Sequence, residues 1–166
     1  GVASTPLPDV EEPLVDHDET DYAALAADES DPGSVTQRLG AMSVPDKVRA
    51  AMKGTREMRS VLIRDPNKLV ALSVLSCPKV TDVEVESFAR MGSVGEDVLR
   101  TIAQTRAWVK NYGVVLALVK NSKTPLAMTL TLLNRLNEGD VRRLSTDRNV
   151  PDPLRRAAKK KLSGGD

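Results

Sequence analysis

From Ser34 onward, apolar residues recur at helical spacing in short blocks, whereas residues 1–33 scatter single Leu, Val and Tyr residues among prolines and carboxylates. The first pattern predicts short amphipathic helices, and the second predicts a disordered acidic tail with too little apolar surface to bury. The reading therefore divides the chain into a tail at 1–33, a helical domain at 34–162 and a short disordered end at 163–166. Within the tail, only Tyr22–Ala27 has the spacing for a transient helix.

Turn and capping residues delimit the helices. Thr81-Asp82-Val83-Glu84 has capping-box spacing, with Val80 and Val85 as the matching staple, and it predicts a helix over 82–91. Thr124-Pro125 predicts a capped helix running to about Leu136, and Asp152-Pro153 repeats the device ahead of LRRAAKKKL. Ser93-Val94-Gly95-Glu96 offers another box ahead of DVLRTIAQ. The segments between these signals are about 8 to 14 residues long, which suits stacked short helices.

One internal repeat organises the domain. Asn67–Leu75 lies over Asn111–Val119 at an offset of 44, and the match continues through Cys77–Thr81 against Asn121–Pro125. Phe88 and Ala89 then align with Leu132 and Leu133, and Leu99–Ile102 aligns with Val141–Leu144 at an offset of 42. Each unit is thus three helices in about 42 to 44 residues, with apolar helices at 67–76 and 111–120 as a spine that includes Leu72 and Leu116. KVRAAMKG at 47–54 reads as an apolar first helix, and MRSVLIRD at 58–65 as a third. PLRRAAKKKL at 153–162 reads as a closing first helix with a polar outer side.

REMRSVLIRDPNKLVALSVL and VKNYGVVLALVKNSKTPLAMTLTLLNRL carry a resemblance to HEAT and armadillo helical repeats, and are similar to a family of largely uncharacterised bacterial HEAT-like proteins. The resemblance covers about 34–162 and implies an all-α fold, a short right-handed α-solenoid. It supplies no catalytic motif, and implies a protein-binding scaffold or adaptor, with nucleic-acid binding in a minority of such arrays.

Composition supports the helical reading. One Phe, one Trp and two Tyr leave a core of Leu, Val, Ala, Met and Ile, which favours helix packing over a β-sandwich. The single cysteine, Cys77, excludes an internal disulfide, and no apolar run approaches the roughly 18 residues of a spanning helix. With no basic-then-apolar leader pattern, a reducing, cytoplasmic location is the expectation. Gly1 follows no Met, so a trimmed start is expected as well.

Charge changes the picture more. Residues 1–45 hold ten acidic groups against Arg38 alone, and residues 46–166 hold 23 basic against 13 acidic. The tail is either a solubilising linker or a segment that shields the basic surface, an attraction that salt screens beyond about 8 Å.

Candidate chemistry is sparse. His17, beside Asp16, Asp18, Glu19 and Asp21, could join only a loose metal cluster with no rigid shell, so no metal or cofactor is expected. Cys77 has no histidine near it to act as base and reads as structural. No phosphate-cradling glycine loop or nucleophile motif is present, and no small-molecule ligand is indicated. Glu84 and Glu86, two residues apart, fall on different helix faces, and Glu84 is better explained as a cap. Trp108, with Tyr112 at i,i+4, reads either as a seam residue between repeats or as a partner anchor.

The remaining candidates are Arg142, Arg143, Arg148, Arg155, Arg156, Lys159, Lys160 and Lys161. On a helix from Pro153, Arg155, Arg156, Lys159 and Lys160 share one face, opposite Leu154, Ala157, Ala158 and Leu162. They form either a solvated end cap or a site for an acidic protein segment, an anionic membrane surface or nucleic-acid phosphates. The scarcity of aromatic residues argues against single-strand recognition. A non-enzymatic adaptor that binds another protein is the reading, a phosphate-contacting nucleic-acid module is the alternative, and a homodimer remains open.

Overall fold

Capping side chains and apolar stripes set the helix boundaries in the computed structural model, which describes residues 20–22 and 32–164, without the side chains of 32 and 33. The described residues form eleven α-helices and no strand, so the all-α class holds. In chain order they are α1 (Pro32–Gly40), α2 (Val44–Lys53), α3 (Arg56–Leu62), α4 (Lys68–Leu75), α5 (Asp82–Arg90) and α6 (Glu96–Gln104). They continue with α7 (Arg106–Val109), α8 (Tyr112–Lys120), α9 (Leu126–Leu132), α10 (Glu138–Leu144) and α11 (Asp152–Leu162). A 3-10 turn at Leu133–Arg135 extends α9, and the helices span 4 to 11 residues, shorter than the sequence spacing predicts. His17, Glu19 and most of the acidic tail lie outside the described residues, as do residues 165–166.

The capping box at Thr81 is present. The Thr81 hydroxyl accepts from the Glu84 amide at 3.3 Å, and the Glu84 carboxylate accepts from the Thr81 amide at 3.2 Å. Asn67 and Asn111 cap α4 and α8 alike, accepting from Leu69 and Val70 in the first and from Val114 in the second. Other expected caps do not form. Helix α9 starts at Leu126 with Pro125 at its cap, so the Thr124 hydroxyl is one residue too early and is buried without a partner. Helix α6 is capped by Gly95, which makes Glu96 its first residue instead of its third. Pro151 precedes α11, placing Asp152 and Pro153 inside the helix.

Burial follows the repeat. Val70, Ala71, Val74 and Leu75 are buried on α4, and so are Val114, Val115, Leu118 and Val119 at the same positions of α8. Leu72 and Leu116 are only half-buried against the core, because the buried stripe lies on either side of them. Phe88 and Ala89 correspond to Leu132 and Leu133, and Leu99 and Ile102 to Val141 and Leu144, all buried. Polar chemistry repeats too: the Cys77 thiol donates to the Met52 carbonyl at 3.2 Å. Asn121, 44 residues later, donates to the Ala89 and Met91 carbonyls at 2.8 and 3.0 Å. Each side chain holds the carboxy-terminal end of an earlier helix, which accounts for a buried cysteine structurally.

Packing gives the order of the units. Helix α4 packs on α2 and α8 on α5, whereas α11 packs chiefly on α10 and less extensively on α9. This corrects one assignment: α2, which contains KVRAAMK, occupies the second-helix position that α5 holds in the next unit.

Two stability tests follow. Leu118→Asp, at a site with no exposed surface, should lose helical circular dichroism at room temperature, while Leu116→Asp should retain it, because only the first puts an unpaired carboxylate in the core. Thr124→Val should raise unfolding stability in urea by about 1 kcal/mol, since it removes an unsatisfied hydroxyl at nearly constant shape.

Candidate functional site

The basic residues near the carboxy terminus separate by what they touch. Arg142 pairs with Glu138 at 2.9 Å and Arg143 with Asp140 at 2.6 Å, each within α10. Arg155 pairs with Asp152 and donates to the Asp147 and Val150 carbonyls, both at 3.1 Å. It therefore fastens the loop before α11 and leaves the cationic face on which its spacing had placed it. Arg148 is exposed on that loop, apart from the α11 face.

Arg156, Lys159 and Lys160 are exposed and have no ion pair or side-chain hydrogen bond among the described residues, whereas Lys161 donates to the Asn134 side chain at 3.3 Å. Leu154 and Ala158 are buried beneath them, with Ala157 and Leu162 partly buried, as the spacing predicts. Lys159, Lys160 and Lys161 fill the last turn of α11, where the carbonyl end of the helix favours positive charge.

Between α9 and α11 runs a groove of about 560 Å³, lined by Leu130, Leu133, Asn134, Ala157, Lys160 and Lys161. Leu130 is 36% exposed, unlike the core leucines. The groove thus joins an apolar floor to a lysine rim, and no carboxylate lines it among the described residues. A second recess of about 300 Å³ at the α3–α4 and α5–α6 connections includes Arg64, Asp65, Lys68 and Asp97 among its lining residues. There Asp65 already meets Lys47 at 2.8 Å, and Asp97 meets Lys68 at 3.6 Å, so its charges are largely satisfied. The α9–α11 groove is the better candidate. Spacing revealed the lysines, but Leu130 and Asn134 gave no signal, because their role depends on a helix more than twenty residues away.

Trp108 lies on α7 and packs, partly buried, against the core. Its expected i,i+4 partnership with Tyr112 is not formed on one helix: α7 ends at Val109, Asn111 is extended, and Tyr112 opens α8. Tyr112 instead donates to Asp140 at 2.6 Å and accepts from the Asn137 amide at 3.0 Å, tying α8 to the start of α10. Desolvation and the bond to Asp140 hold its phenol above the ordinary range.

The buried charges serve structure. The Arg59 guanidinium donates to both Glu84 oxygens, at 2.8 and 3.1 Å, and to the Gly54 carbonyl at 3.1 Å. Its Nη1 also lies 4.0 Å from the Cys77 sulfur. Burial pushes the Glu84 carboxyl up, but hydrogen bonds from Arg59 and the Thr81 amide, with the Arg59 and Arg56 charges, outweigh it and hold the group below the usual carboxylate range. Glu84 is thus a paired anion with its acceptor sites engaged, poorly suited to act as a base. Glu86 stands apart, paired with Arg90 on the same helix. Among the described residues no group of three or more His, Cys, Asp or Glu could hold a metal ion, and no helix is long and apolar enough to cross a membrane.

Compared with protein-family models, curated proteins and solved structures, the chain matches none.

Glu84→Gln should destabilise the fold by about 3–5 kcal/mol, whereas Arg59→Met with Glu84→Met should recover most of that loss. Because the folded Glu84 pKa is depressed, its contribution is present above the ordinary value of about 4.3 and is lost as pH falls through the folded pKa. Urea unfolding across that acid range should therefore show a steeper decline for the wild type than for the double variant.

Proposed function

We propose that this chain is a non-catalytic binding scaffold, a short right-handed α-solenoid of HEAT/armadillo-like repeats that takes an acidic, partly apolar protein segment. The repeated burial of α4 and α8 and the shared pairing of α2 with α4 and of α5 with α8 support the repeat reading. The observation that carries the binding reading is the α9–α11 groove, where the exposed Leu130 lies beside Lys160 and Lys161. A leucine between carboxylates would bury its side chain on that floor and set its charges against the rim. Arg142, Arg143 and Arg155 pair locally, and the lysines at the groove border apolar surface, which favours a partly apolar protein segment over duplex nucleic acid.

The test is fluorescence anisotropy with a labelled peptide alternating Leu and Glu, alongside labelled duplex DNA. Lys160→Glu with Lys161→Glu should weaken the peptide roughly tenfold, about 1.4 kcal/mol, with helicity unchanged. Peptide binding should decline only mildly between about 50 and 200 mM salt, because part of it is apolar. Preference for DNA with a steep salt dependence would replace this reading with phosphate binding, and absence of peptide binding at the lower salt would end it.

A further inference from the structure

We infer that the groove between α9 and α11 is occupied in the free protein by the chain's own residues 7–19, which act as a tethered competitor for the acidic partner. The inference rests on the scaffold reading and names its regulation. Leu7-Pro8-Asp9-Val10-Glu11-Glu12-Pro13-Leu14-Val15-Asp16-His17-Asp18-Glu19 carries six carboxylates and no Lys or Arg, with single apolar residues spaced between them. That composition mirrors the groove: leucine and valine for Leu130, Leu133 and Ala157, and carboxylates for Lys160, Lys161 and the neighbouring Arg156 and Lys159.

The tether reaches. Measured from Tyr22, which packs on the core, Leu14 lies eight residues away, roughly 27 Å when extended, and Leu7 fifteen, roughly 50 Å. A domain of this size has a radius of gyration of only about 14 Å. Tyr22, three residues beyond the segment, is partly buried against the hydrophobic core and fixes the point from which the tether is measured. Two prolines, Pro8 and Pro13, disfavour a helix there and suit an extended strand of anchors laid along a groove.

Attachment matters more than intrinsic affinity. A short covalent tether gives an effective concentration on the order of 1 mM, so a segment affinity of about 0.1 mM would reduce binding of an outside competitor roughly tenfold. Attraction between opposite charges makes the occupancy salt-dependent.

The full-length chain tests this in two ways. A nitroxide at Val10→Cys, with buried Cys77 left unlabelled, should quench the amide signals of Leu130–Asn134 and Ala157–Lys161 at low salt and spare those of α2. Lys160→Glu with Lys161→Glu should restore the quenched signals. A full-length variant with Asp9, Asp16 and Asp18 changed to Asn and Glu11, Glu12 and Glu19 changed to Gln should bind the Leu-Glu peptide about tenfold more tightly than wild type. Equal peptide affinity in the two proteins overturns the inference while leaving the scaffold reading intact. If neither protein binds the peptide, the scaffold reading fails and the spin label alone decides occupancy. Signals unaffected by the label, or quenched only between separate molecules in a mixed sample, also overturn it, the latter in favour of a second copy.

Discussion

A guanidinium taken out of water must have its donors met, and Arg59 is met by two separate parts of the chain. Glu84, on α5, takes two of its hydrogen bonds, and the Gly54 carbonyl at the end of α2 takes another. Among the described residues it is the one ion pair with both side chains nearly inaccessible, at 6% and 3% exposure. Because Glu84 also closes the capping box at Thr81, the same carboxylate fixes where α5 begins and how α3 meets it. Gly54 is bound to this geometry: a Cβ there would lie 2.4 Å from the Ala50 carbonyl and 2.8 Å from the Met58 sulfur. The pair adds little net stability over apolar replacements of the same shape, since desolvation consumes most of the attraction. Its consequence is registry: a shifted α3 or α5 would leave a buried charge unmatched, so the first two units lock in one relative position.

The parts of this fold that are legible in the sequence are those set by neighbours a few residues apart. The capping box at Thr81 and the apolar stripe of α11 are local, and the structure reproduces them; the asparagine caps at Asn67 and Asn111 are equally local but are not among the caps read from the sequence. The repeat was legible because two copies of one pattern reinforce each other. Thr124 failed for a subtler reason: a hydroxyl one residue ahead of the cap position cannot reach the amides it would cap, and helix starts are set to that precision only by packing. Arg59 and Glu84 are 25 residues apart in sequence, so no spacing rule joins them. The pairing of Arg142, Arg143 and Arg155 was legible from i,i+3 and i,i+4 carboxylates, and the tally of basic residues obscured it.

The charge on α11 is clearest when that helix is set beside α8. Helix α11 aligns with α8 at an offset of 40, placing Leu154 over Val114 and Ala158 over Leu118, all buried. At the next positions the chemistry reverses: Arg155 stands where α8 has Val115, and Lys159 where it has Val119. Those valines are buried in α8, whereas α11 is the last helix among the described residues and turns Lys159 to solvent. A terminal helix must keep the inner stripe and make the outer one polar. That requirement accounts for cations on the outer face, but not for the exposed Leu130 or for a groove with lysines on its rim and no carboxylate in its lining among the described residues.

Those two features are what the proposed recognition surface rests on. A cap is most economical when its cations are paired or fully hydrated over a smooth polar face, as α10 achieves with Glu138 and Asp140. The groove departs from that arrangement, holding lysine charge next to apolar surface and leaving both incompletely satisfied. Either deficit alone is small; together they are relieved by one kind of ligand, an acidic segment with apolar side chains between its charges. The amino-terminal part of this chain has that composition, and connection to the domain raises its local concentration above that of a free partner. A stronger outside ligand must therefore displace a weaker, permanently attached one, which makes the surface selective for segments that bring more apolar contact than the tail does.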